Sequence, residues 1–209
     1  MNKSIFSLVS ILALSGVSFA GGDITPVEEP VVVIPEAVVI DESGFYLGAG
    51  FSSMKLNNDL TDEEFSATGL MLQAGYRYNR YIALEGRYTF HIGDVDYTHG
   101  NTINPDYPDY PTDFTNAAVY LKPIYPINSF SIYALLGYGE VALTNIPQGD
   151  VDRAESGFQW GLGAGYTFAQ KVSVFVDYVQ MYNGTGFDYR AVDADITADA
   201  WTLGVSYEF

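Results

Sequence analysis

From Gly44 to Phe209 the apolar side chains recur at every second position, in eight separate runs. A period of two belongs to extended strands, whose successive side chains point to opposite faces; a helix would repeat every 3.6 residues. Phe45, Leu47, Ala49 and Phe51 alternate with Tyr46, Gly48, Gly50 and Ser52. Leu70, Leu72, Ala74, Tyr76 and Tyr78 alternate with Met71, Gln73, Gly75 and Arg77. Runs starting at Ile82, Ala117, Phe158, Val172 and Trp201 follow the same rule. The segment 130–141 is strand-like as well, but both of its faces are apolar, so its facing stays open.

Each run is close to the roughly 9–11 residues that a tilted strand needs to cross a bilayer. The connections alternate in length: 79–80, 125–129 and 169–171 are short, whereas 55–66, 91–113, 142–156 and 183–197 are long and polar. Periodicity does not say which face points outward, but size does. Eight strands closed into a barrel leave an interior only wide enough for side chains. Glycines at 48, 50, 75, 161, 163, 165 and 204 lie opposite the bulky face. The glycine face suits the crowded interior, and the bulky apolar face meets lipid. Phe45, Tyr76, Tyr78, Tyr81, Tyr88, Phe168, Tyr207 and Phe209 stand where aromatic girdles would mark the membrane interfaces. The pattern predicts an all-β fold over 44–209, an eight-stranded antiparallel transmembrane β-barrel with short turns at one end and long loops at the other.

The first 43 residues have a different composition. Residues 1–20 read as a signal peptide, with Lys3 in a short charged start, a mostly apolar stretch, and Ser18-Phe19-Ala20 offering small residues before a cut. The apolar stretch is shorter than the ~20 residues of a membrane-spanning helix. Residues 21–43 hold Pro26, Pro30, Pro35, six acids and no base, and read as an acidic periplasmic tether. An edge strand or an internal plug are the other readings of this segment.

With 9 Lys+Arg against 26 Asp+Glu the chain carries a formal charge of −17. Nucleic-acid binding is excluded on that balance, because neutralising phosphates takes Lys and Arg. Cys is absent, which excludes a disulfide framework, a thiolate metal site and a cysteine nucleophile. The charge is unevenly placed. The tether and the four long connections are acidic, while Arg77, Arg87 and Lys122 share one face with Glu85, Asp177 and Glu208, a set that sums to zero. A Lys or Arg facing lipid at the bilayer midplane costs about 2–4 kcal/mol. The six therefore belong in the lumen, either as an ionic network that plugs the barrel or as the lining of a small gated pore.

The segments FYLGAGF, AGYRYNRYIALEGRYTF, GFQWGLGAGYTF and the terminal VSYEF resemble the small outer-membrane β-barrel family of the OmpA N-terminal barrel, OmpX and Opa-type proteins. The resemblance covers about four fifths of the chain. It implies location in the outer membrane of a Gram-negative bacterium. It also implies that Tyr207 and Phe209 form the signal read by the barrel-assembly machinery. It does not fix a function, because one fold hosts many tasks.

Three functions remain open. The leading one is a non-enzymatic structural, adhesion or surface-display role exercised through the long loops. Loop 91–113 is the longest, and Tyr107 and Tyr110, set among Pro105, Pro108 and Pro111, make an aromatic display segment for a host or surface ligand. The acidic loops are a solvated rim or bridge to lipopolysaccharide phosphates through divalent cations. The second function is a narrow porin. The third is a lipid A-modifying enzyme, for which His91 and His99 are the only histidines, with Ser66 and Ser156 at a similar level. No spacing in the chain defines catalytic residues, a resident metal or a cofactor.

Overall fold

The computed structural model describes residues 43–58, 63–99, 102–103, 113–144, 153–168, 171–185 and 195–209. Eight long strands build a closed antiparallel barrel: β1 (Gly44–Asn58), β2 (Glu63–Asn79), β3 (Ile82–His99), β5 (Asp113–Ile127), β6 (Phe130–Thr144), β7 (Arg153–Phe168), β8 (Val172–Gly184) and β9 (Ile196–Glu208). The two-residue β4 (Thr102–Ile103) only extends the upper end of β3. Neighbours in sequence pair around the ring, and β1 pairs with both β2 and β9, which closes it. Closure leaves the membrane no unpaired sheet edge to solvate, the condition for a sheet to cross a bilayer.

The short turns have local causes. Asn79 Oδ1 accepts the backbone N–H groups of Tyr81 (2.8 Å) and Ile82 (3.0 Å), which folds the chain back within two residues. At the next short turn Asn128 has φ 57°, a left-handed conformation that asparagine tolerates better than most residues.

The barrel has inside-out polarity. Phe51 is 66% exposed and Leu203 60%, whereas Glu85 is 0% and Asp177 1%. In water such an outer surface would be unstable; in hydrocarbon it is the stable arrangement. The inner face also decides the facing that the sequence leaves open. In β6, Tyr133, Leu135 and Val141 point inward, and Tyr138 and Glu140 point outward.

Strand length departs from expectation. The strands run 13–18 residues rather than 9–11, and they take over parts of all four segments read as loops. Residues 55–58, 63–66, 91–99, 142–144, 153–156, 183–184 and 196–197 are strand. The reason is a reversal of polarity along the strands. Above the lipid the outward positions turn polar, as at Ser53, Lys55, Glu64 and Asp199. The inward ones turn apolar: Met54, Leu56, Phe114, Leu143, Met181, Ile196 and Ala198 pack into one buried cluster. Alternation persists, with its sense inverted.

Candidate functional site

The lumen is filled in three successive storeys. The lowest is ionic and is centred on Glu85 of β3. Its Oε2 accepts hydrogen bonds from Tyr46 Oη (2.6 Å) and Lys122 Nζ (2.8 Å), and its Oε1 from Arg87 Nε (2.6 Å). The same Arg87 reaches across the barrel to β8 with both terminal nitrogens, Nη1 to Asp177 Oδ1 at 3.0 Å and Nη2 to Oδ2 at 2.8 Å. Tyr133 Oη donates the remaining bond to Asp177, at 2.8 Å. Two cations thus meet two carboxylates, every carboxylate oxygen has a donor, and all four ionic side chains are buried. Such complete pairing is what makes a buried ionic group tolerable, since desolvation otherwise exceeds the Coulomb gain. Aromatic faces complete the shell: Lys122 Nζ stands 4.1 Å from the Tyr133 ring centre, and the Arg87 guanidinium carbon lies 5.8 Å from the Tyr120 ring centre and 5.9 Å from that of Phe175.

The middle storey is neutral and polar. Asn116 and Gln159 form a reciprocal amide pair, with Gln159 Nε2 donating at 2.8 Å and Asn116 Nδ2 at 3.3 Å. Tyr120 Oη donates to Gln159 Oε1, and Ser52 and Thr202 share a hydroxyl contact of 2.8 Å. The top storey is the apolar cluster around Met54, Phe114 and Val141.

Of the six ionic side chains that the sequence assigns to the inner face, four meet in this network. Arg77 and Glu208 form a separate pair at the periplasmic mouth, partly open to solvent. Their Nε···Oε1 separation is 3.1 Å, yet Arg77 Nε is not aligned for a hydrogen bond, so this contact is electrostatic only. Beneath the network a vestibule of about 100 Å³ opens at that mouth, lined by Arg77, Lys122, Ser131, Thr167, Ser173 and Glu208, and ends on Tyr46 and Tyr133.

Tyr46 and Tyr133 are the members of the network that sequence reading misses, because tyrosine reads as girdle or core. Their signal lay in register. Tyr46 stands opposite Gly75, and Tyr133 opposite Gly163. A Cβ on Gly75 would collide with the Tyr46 ring, and one on Gly163 would come within 2.5 Å of the Tyr133 ring. The glycines are absent side chains that let two phenols lie flat across the lumen.

Other candidate positions fall elsewhere. Tyr207 and Phe209 both face outward at the periplasmic end, with ring centres 5.2 Å apart. Tyr107 and Tyr110 lie outside the described residues, as do 1–42. His91 Nδ1 accepts the backbone N–H of Phe114 at 3.1 Å, and its Nε2 lies 3.7 Å from Asp113 Oδ1. Ser156 points outward and donates to Glu140. His91 therefore serves the wall where the β3–β5 ladder ends, and Ser156 stands on the opposite face of a different strand.

Lipid-facing apolar residues outside, a packed polar lumen inside and alternating short and long connections define a small outer-membrane barrel. The chain belongs to the outer membrane protein beta-barrel domain family, whose model matches residues 30–209. The family's place is the outer membrane of Gram-negative bacteria. Comparison with curated proteins finds no match. Among solved structures, Ail of Yersinia pestis, crystallised in complex with the heparin analogue sucrose octasulfate, has a TM-score of 0.52 at 18% identity, covering 80% of this chain and 99% of Ail. Neisserial surface protein A has a TM-score of 0.52 at 19% identity, over 80% of this chain and 99% of that protein. OprG of Pseudomonas aeruginosa has 0.50 at 15%, over 80% and 97%. At these identities the likeness is one of fold.

Proposed function

We propose that this protein is a non-conducting outer-membrane barrel whose work is done at its extracellular end, in a structural, adhesive or surface-display role. The observation that carries this reading is the saturation of the ionic storey. Glu85, Arg87, Lys122 and Asp177 satisfy one another with help from Tyr46 and Tyr133, leaving none of these four charges unpaired to conduct or bind an ion. Above it lie an amide storey and an apolar storey, and a dry apolar constriction resists wetting. With the lumen closed, the long acidic connections are the part of the chain that meets other molecules.

Their charge also selects partners. Ail is crystallised with a polyanion, but the connections of this chain are net acidic, which favours cationic partners over sulfated sugars. Outward acids such as Glu64, Glu140 and Asp199, placed just above the apolar band, suit divalent cations shared with lipopolysaccharide phosphates. Tyr207 and Phe209, outward at the last strand, suit recognition by the barrel-assembly machinery.

Single-channel recording of the folded protein in planar bilayers tests the reading. The wild type is expected to be silent. Discrete openings that change when Arg87 or Lys122 is neutralised would replace it with the narrow-porin reading, for which the periplasmic vestibule would be the entrance.

A further inference from the structure

The periplasmic vestibule differs from the storeys above it in how its charges are met. In the ionic storey each charged side chain is hydrogen-bonded to an opposite one. In the vestibule, Arg77 of β2 and Glu208 of β9 meet across Gly44 of β1, where an added Cβ would come within 3.4 Å of Glu208 Oε1. The Nε···Oε1 separation is 3.1 Å, yet Arg77 Nε is buried and finds no hydrogen-bond partner among the described residues. A buried donor without an acceptor carries a desolvation cost that an aligned acceptor would remove.

The rest of the lining narrows what that acceptor can be. Lys122 is matched by Glu85. Among the other charges of the lining, Arg77 and Lys171 stand against Glu208, one positive charge in excess. A single negative charge balances that excess. The Nε edge of a guanidinium offers two parallel N–H donors, a geometry that matches a carboxylate. Ser131, Thr167, Ser173 and Ser206 add hydroxyls to the wall, and Tyr46, Tyr133 and Phe175 add ring surface. The volume of about 100 Å³ equals that of about three waters, which admits an acid of two or three carbons but not a branched or aromatic one.

We infer that the vestibule binds a short-chain monocarboxylate from the periplasmic side, with its carboxylate on the Nε edge of Arg77 and its carbon chain toward the rings of Tyr46 and Tyr133. In the structure Glu208 stands where the ligand's carboxylate would go, close enough to offset the charge of Arg77 but out of line for a hydrogen bond. Glu208 is already partly open to solvent, so it can swing toward water as the acid enters. The inference concerns the periplasmic end and goes beyond the role read for the extracellular one.

The test uses the full chain in lipid nanodiscs, labelled with nitrogen-15 at arginine, with sodium propionate as the probe. The readout is the Arg77 Nε–H resonance, assigned by its loss in Arg77→Lys. Propionate is expected to move it downfield along a saturating curve, with a Kd on the order of 1–10 mM. Pivalate, of equal charge but branched, should leave it nearly in place. Glu208→Gln removes the competing carboxylate and should tighten propionate binding severalfold. An equal response to pivalate would reduce the effect to unspecific ion pairing and overturn the inference. A shift that does not saturate, or binding weakened by Glu208→Gln, would overturn it as well. None of these outcomes bears on the bilayer recording, so failure of the vestibule site is distinguishable from failure of the closed-lumen reading.

Discussion

The lower and upper halves of this barrel are built from the same strands with opposite polarity. In the membrane belt Leu47, Phe51, Leu203 and Val205 face out, and Gly48, Ser52, Thr202 and Gly204 face in. A few residues further along the same two strands, Lys55 and Asp199 face out while Met54, Leu56 and Ala198 face in. The surroundings change from hydrocarbon to water, and the alternation inverts to follow them. Period two states that a strand exists; the chemistry of each face states what surrounds it.

Several substitutions would break or sharpen this contrast. The largest effect is expected in the ionic storey, where Asp177→Ala or Arg87→Ala leaves a buried charge without its partner. Unfolding by urea on lipid vesicles should show a loss of about 3–5 kcal/mol. In the apolar storey Phe114→Ala removes a fully buried ring and should cost about 3–5 kcal/mol by the same assay. A cost of only a few tenths would mean that the upper lumen is not packed. A third test moves one charge along the outer face. Val119→Arg, in the middle of the lipid-facing belt, should cost about 2–4 kcal/mol, whereas Ser53→Arg, above it, should stay within about 0.5 kcal/mol. Equal costs would contradict the inversion. The smallest effect belongs to the exposed Lys55–Glu64 pair at 2.9 Å. There Lys55→Ala should cost under about 1 kcal/mol, and less in high salt.

The existence and number of the barrel strands were legible in the sequence, because alternation is strong wherever one face meets lipid and the other a crowded lumen. The upper third was not legible, since Lys55 and Glu64 on outward positions look like loop residues until their inward neighbours are seen to pack together. Segment 130–141 was ambiguous for a related reason. Tyr133 lies against the ionic storey and Val141 in the apolar one, so the inner face of β6 is as apolar as its outer face. In the site, shared parity put six charged residues on the inner face. Which four meet depends on strand registers that local sequence does not carry. The contributions of Tyr46 and Tyr133 depend on their glycine neighbours across the strand pair.

The absence of cysteine allows the central claim, a barrel that inverts its polarity and closes its lumen, to be measured directly. Single cysteines placed in turn at positions 47–57 of β1 in the membrane-embedded protein would be challenged with a charged, membrane-impermeant thiol reagent. The account predicts labelling at 53, 55 and 57, where outward side chains meet water. It predicts protection at 47, 49 and 51, which face lipid, and at 52, 54 and 56, which face the packed lumen. Rapid labelling at 54 and 56 would contradict it, because water would then fill the upper barrel.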